Sequence, residues 1–197
     1  MMRSTSLLGV ILLVVTSGGL IGCSGPRAGS LPTSASDALE RSAGLTLLRD
    51  VLARNARVDG ILMFKTVDPP VKTLIGDIAS SCSRLRDRLD DWARVEDAVD
   101  LEATGLPAVE ARARALREEW MTRTLLGSSG MEFQLNLLVS QVQALGYASA
   151  LAEAAAEREP KVARAEDLRH MARTLQDLAS RVEASLAAQC GESGRID

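Results

Sequence analysis

Two tryptophans, one tyrosine and two phenylalanines are all the aromatic rings in this 197-residue chain. So few rings leave no row of stacking platforms of the kind that oligonucleotide-binding surfaces use. There is one histidine, His170. It falls about 120° from the middle of its helix's apolar face at 100° per residue, so an exposed position is expected. With Glu166 one turn earlier, it reads first as half of a surface i,i+4 pair. No serine sits in a strand-turn-helix elbow, so a hydrolase triad has no support. Gly127-Ser128-Ser129-Gly130 lacks the lysine and the preceding strand of a phosphate-binding loop and reads as a linker between helices. Excess positive charge is lacking too. The formal charge is -3, which gives no electrostatic reason to expect a nucleic-acid partner. No alternating strand pattern appears anywhere in the sequence.

The most specific signal is at the start. Arg3 supplies a positive charge, residues 7–15 an apolar run too short to span a bilayer comfortably, and Leu20-Ile21-Gly22-Cys23 a small-residue cleavage site ending in cysteine. This order resembles bacterial lipoprotein signal peptides. The resemblance implies removal of residues 1–22, acylation of Cys23 and attachment of an exported domain to a membrane of the cell envelope by lipid. Ser24 after the lipidated cysteine resembles lipoproteins sent to the outer membrane, so its periplasmic face is expected over the inner membrane. Without Arg3 the mature chain carries a charge of -4, one less than the -3 of the full sequence. Gly25, Pro26, Gly29, Ser30 and Pro32 make residues 23–33 a tether.

Helical periodicity organises the rest. Ser34 and Asp37 form a capping box opening a helix A expected to reach about residue 66, with Leu48, Val51, Val58 and Leu62 on one side. A break near Asp59-Gly60 is the competing reading, because glycine in a helix interior costs about 1 kcal/mol relative to alanine. Asp68 as N-cap and Pro69 at the first helical position open helix B. Its Val71, Ile75, Ile78, Cys82, Leu85, Leu89 and Trp92 alternate at four and three residues, the seam of a packed bundle, and Gly105 and Pro107 end the run. A shorter connector over residues 107–126 has Val109, Leu116 and Trp120 as its apolar side. Ser129 and Glu132 form a second capping box for helix C, with Leu135, Leu138, Val142, Leu145 and Ala152 on one face. After Glu159-Pro160, helix D is expected to run to about residue 189, burying Leu168, Met171, Leu175, Leu178 and Val182. The pattern predicts an all-α fold: a ferritin-like four-helix bundle over residues 34–190, with a helical crossover between the second and third long helices, and a tail over residues 191–197. In that topology A is antiparallel to B, B parallel to C, and C antiparallel to D.

Three short motifs carry a further resemblance: Lys65-Thr66-Val67-Asp68-Pro69-Pro70-Val71-Lys72, then Ser129-Gly130-Met131-Glu132-Phe133, then Thr174-Leu175. Together they resemble a ferritin-like family of secreted bacterial proteins of unknown function. The resemblance implies histidines facing the bundle interior, but the corresponding positions here are Cys82, Leu145 and Arg181. A metal or haem site served by those histidines would be lost or displaced in this chain.

One set of candidate ligands remains. On a 100° count Glu40, Glu96 and Glu153 project near the centre of the inward face and Asp167 lies at its edge, all near one end of the bundle. Carboxylates from four helices at one level are what di-metal bundles use, and Asp167-x-x-His170 echoes their Glu-x-x-His motif. Such an oxygen-rich set would suit Mn, Ca, Mg or Fe. The competing reading is a bundle that splays near its end, where acidic groups reach water. No cofactor is predicted, a divalent metal being the alternative. The function expected is that of a non-enzymatic envelope lipoprotein with a structural or partner-binding role, held to the membrane through lipid on Cys23 and facing an envelope protein. The alternative is a metal-binding or redox protein with a reduced carboxylate ligand set. Cys82 and Cys190 would form a disulfide if helix C begins at the level of Cys82. They would lie ~20 Å apart if it begins level with Pro69, the geometry that the family-like register favours.

Overall fold

A computed structural model describes residues 34–95, 99–102 and 106–193. Among them are five α-helices and one 3-10 helix, and no strand. The α-helices are α1 (Ser34–Asn55), α2 (Pro69–Val95), α3 (Ala108–Gly127), α4 (Gly130–Glu157) and α5 (Val162–Ser193), with the 3-10 helix (Val58–Met63) between α1 and α2. They form a helical bundle in which α1 packs on α2 and α4, and α5 packs on α4 and α2. Cross-helix pairs give the directions. Arg49 of α1 meets Asp90 of α2, and Glu40 of α1 meets Arg158 just beyond α4. Arg88 and Asp77 of α2 meet Asp167 and Arg181 of α5, and Ser149 of α4 donates to the carbonyl of Ala172 of α5 at 3.0 Å. Each of these pairs of helices is therefore antiparallel. It follows that α2 is parallel to α4 and α1 to α5, and α3 carries the chain from α2 to α4.

The core follows from the periodic seams. Of the helix B positions, Val71, Ile75, Ile78, Cys82, Leu89 and Trp92 are buried and Leu85 is partly so. All five helix D positions, Leu168, Met171, Leu175, Leu178 and Val182, are buried. On α4 the buried face is broader and more polar than the expected one. It takes in Phe133, Gln134, Leu137 and Gln141 beside Leu138 and Leu145, while Leu135 and Val142 are only partly covered. Gln134 has a partner for each end of its amide. Its Oε1 accepts from the Asp68 backbone N–H at 2.8 Å and its Nε2 donates to Asp68 Oδ2 at 2.7 Å. That exchange ties the start of α4 to the turn before α2, with both polar groups satisfied on burial. Where α4 turns into α5, the fully buried Glu159 carboxylate accepts from Arg164 Nη2 at 2.8 Å and from the Lys161 backbone N–H at 2.9 Å.

Three helix boundaries differ from the sequence expectation, one of them the end of helix D, where α5 continues through Gly191 to Ser193 instead of stopping near residue 189. Helix A does not run to residue 66: α1 ends at Asn55 and the chain tightens into a 3-10 turn. Asn55 Nδ2 donates to the Val51 carbonyl at 2.8 Å, and Arg57 and Gly60 donate back three residues instead of four. An asparagine that bonds the backbone of its own helix competes with continuing it, and the break falls before Gly60. Helix B ends at Val95 and not near Gly105. Asp100 Oδ1 takes the Glu102 backbone N–H at 2.8 Å, a local turn that replaces helical bonding, while Val99 is still buried. The second capping box is half right. Ser129 is the N-cap of α4, but its side chain makes no capping bond, and Gly130 enters the helix at φ +55°, a conformation that needs glycine. Ser34 begins α1; its side chain, like Cys23, the tether and the leader, lies outside the described residues.

Candidate functional site

Helix α3 has no buried residue, and its expected apolar side is in the open: Val109 is 82%, Leu116 47% and Trp120 62% exposed. It touches α4 lightly and makes no extensive contact with α1. The space left between α1, the 3-10 turn, α3 and α4 is a groove of about 610 Å³, within the range of small-molecule sites, about 300–1,000 Å³. Its apolar wall includes Val51, Val58, Ile61, Leu125, Leu137 and Ala144.

The polar side is dominated by arginine. Arg54, Arg57, Arg114 and Arg117 line the groove against two carboxylates, Glu110 and Glu118. Arg54 Nη1 pairs with Glu118 Oε2 at 2.7 Å, bridging α1 and α3. Arg114 Nε pairs with Glu110 Oε1 at 2.7 Å, and its guanidinium lies 5.2 Å from the centre of the Tyr147 ring. The hydrogen bond to Glu110 is the main reason that its pKa is raised further. Arg117 Nη2 donates to the neutral amide oxygen of Gln143 at 2.8 Å. Arg57 has no partner among the described residues. Gln141, also on the lining, is 5% exposed; its Nε2 donates to Ser140 Oγ at 3.2 Å, but its Oε1 accepts from no described residue.

The carboxylate set proposed from the sequence is not brought together as expected. Glu40 and Glu153, placed on the inward face by the 100° count, are exposed. Glu40 is paired with Arg158 at the edge of a smaller cavity of about 290 Å³. The cause is the alanine content of this end of α4: Ala152, Ala155 and Ala156 form the buried face and turn Glu153 outward. Asp167 Oδ2 is 2.6 Å from Arg88 Nη2. His170 is exposed, and Glu96 lies outside the described residues. Among the described residues no three of His, Cys, Asp and Glu form a group able to hold a metal ion. Cys82 is buried and Cys190 exposed, and both are free thiols.

Sequence reasoning missed Arg57, Arg117, Gln141 and Tyr147. Arg117 had one signal, the density of arginine on α3, a helix too polar to be core, but the same density reads equally as a solvated connector; Arg57, between α1 and the 3-10 turn, had none. Compared with family models, with curated proteins and with solved structures, the chain matches none of them.

Proposed function

We propose that this chain is a lipid-anchored envelope protein that works by binding, a ferritin-like bundle held through acyl chains on Cys23 at the periplasmic face of the outer membrane. The observation that carries the binding role is the groove beside α3. A bundle whose other helices bury continuous seams leaves one helix uncovered, and the space behind it is lined by apolar side chains and arginines. These groups hold a ligand well and have little chemistry of their own, since guanidinium stays protonated and aliphatic walls are inert. The ferritin-like assignment is supported by the antiparallel α1–α2 and α4–α5 pairs and by α3 joining the parallel helices α2 and α4. The metal-binding alternative is not favoured, because Glu40 and Asp167 each already face an arginine.

Attachment by two or three acyl chains is far stronger than by one, at about 0.8 kcal/mol per buried CH₂. Replacing Cys23→Ser in the full chain should abolish incorporation of labelled fatty acid and either free the protein from the membrane fraction or leave the leader uncleaved. A Cys23→Ser protein that is still processed and still sediments with membranes would refute the lipid anchor. An envelope protein partner would be recovered by crosslinking the wild-type chain in intact cells.

A further inference from the structure

We infer that the groove takes an anionic amphiphile: an extended apolar body ending in one acidic head group, carboxylate or phosphate, with a hydrogen-bond donor beside the apolar part. This rests on the reading of the groove as a binding site and names what fits it.

Length comes first. The lining residues of α3 run from Glu110 to Leu125 and those of α4 from Leu137 to Tyr147. At 1.5 Å per residue these stretches are ~22 and ~15 Å long. A trough of that length with Val, Ile and Leu along it suits a chain better than a compact ring system.

Charge comes second. The sequence as a whole is negative, yet four arginines face two glutamates in this groove, leaving two positive charges uncompensated. Elsewhere arginines such as Arg49, Arg88, Arg158 and Arg181 meet a carboxylate. Within the groove Arg54 and Arg114 do so as well, which singles out Arg57 and Arg117. Among the described residues Arg117 is held only by a neutral amide and Arg57 by nothing. Guanidinium presents a planar fork of donors that matches carboxylate and phosphate oxygens, so these two side chains are the head-group contacts.

The third observation is Gln141. Its amide oxygen is buried on the groove lining with no donor among the described residues, an arrangement that native interiors avoid unless a ligand or solvent group completes it. A hydroxyl or amide N–H on the ligand's chain supplies the missing donor. A simple fatty acid has the head group and the body but lacks that donor.

Labelling of the full chain, held in phosphatidylcholine vesicles, with a diazirine-bearing palmitic acid tests this directly. Crosslinks are expected on peptides from the 3-10 turn, α3 and α4. Myristate and lauroyl-lysophosphatidate should each suppress them at concentrations at least tenfold lower than monolaurin, which has the same kind of body but no charge. Whichever of the two acids suppresses labelling at the lower concentration identifies the head group as carboxylate or phosphate. The double variant Arg57→Gln with Arg117→Gln, both exposed side chains, should label at least tenfold less. A hydroxylated myristate should compete better than myristate, and Gln141→Leu should erase that difference. Equal competition by monolaurin, or undiminished labelling of the double variant, would overturn the acidic-head assignment and leave the groove as a binding site for neutral chains. Labelling unchanged in Ala113→Trp, which fills the groove from the exposed side of α3, would overturn the groove reading itself.

Discussion

Helices α2 and α3 are alike on paper and opposite in the fold. Each carries aliphatic residues and a tryptophan at helical spacing, with arginine and carboxylate between them. In α2 the stripe runs from Val71 to Trp92 and is buried; in α3, Val109, Leu116 and Trp120 are all exposed. Periodicity states which residues share a face. Whether that face is covered depends on how much apolar area it offers and on which neighbours remain free. The stripe of α2 is unbroken for nearly its whole length and packs against α1 and α5. The large apolar residues of α3 are split between faces, with Val109, Leu116 and Trp120 on the exposed one, and α4 already uses its apolar face on α1 and α5. α3 is therefore held by the partial packing of Leu125 on the core and by polar bridges, Arg54–Glu118 and Arg117–Gln143, both exposed. Exposed ion pairs contribute only about 0–1 kcal/mol each, so α3 is the element most easily lifted from the bundle.

The largest effect that would sharpen this contrast lies in the core. Leu175 is 0% exposed, and Leu175→Ala should lower unfolding stability by about 2–5 kcal/mol, the transfer free energy of the lost methyl groups plus the cavity they leave. Urea denaturation followed by circular dichroism measures it. A loss below about 1 kcal/mol would mean that the α4–α5 interface repacks freely and is no firmer than α3.

The parts of the fold that were legible in the sequence are those governed by one local rule. The seams of α2 and α5 follow from repeat spacing alone, and the α2 start follows from Asp68-Pro69, because proline forbids the preceding helix to continue. What was illegible depended on long-range choices. Asn55 ends α1 by bonding the Val51 carbonyl, and an asparagine at a helical position does not announce which way its amide will turn. Glu153 fails because at the end of α4 the buried face is made by alanines, and a small residue gives the periodicity count little weight. The groove was illegible for a different reason. Its walls come from three separate parts of the chain, and Gln141 belongs to it only because α3 fails to close over α4.

A second prediction uses the thiol in the α2 seam. Burial pushes the Cys82 thiol from 9.0 up to about 12. The unfolded chain loses that proton near pH 9 while the folded one keeps it until about pH 12, so the unfolded state binds fewer protons in between. Stability is then fully present below pH 9 and falls as pH rises through this window, by up to about 4 kcal/mol at 1.36 kcal/mol per unit. Denaturant midpoints at pH 8, 9.5 and 10.5 should decline, and Cys82→Ala should lower the midpoint at pH 8 and flatten the decline above it. At pH 8 iodoacetamide should modify the exposed Cys190 well before Cys82. Equal rates for the two would show that the α2 seam around Cys82 opens freely.

The smallest effect is the most telling about α3. Trp120 is 62% exposed, so Trp120→Ser should change unfolding stability by no more than about 0.5 kcal/mol, the ordinary range for surface positions. The α2 tryptophan provides the control, since Trp92 is 8% exposed and lies between Arg88 and Arg164 with ring-to-guanidinium distances of 5.7 and 5.9 Å; Trp92→Ser should cost several times more. Hydrogen exchange gives the same contrast without mutation. Amides of α3 should exchange through a local opening of a few kcal/mol or less, whereas those around Leu175 should wait for global unfolding. If the groove holds an amphiphile, its addition should slow α3 exchange and leave the α5 rates unchanged, because the ligand supplies the apolar contact that the sequence of α3 does not. Protection in α3 equal to that of α5 before any ligand is added would mean that the exposed stripe is covered by something other than the bundle.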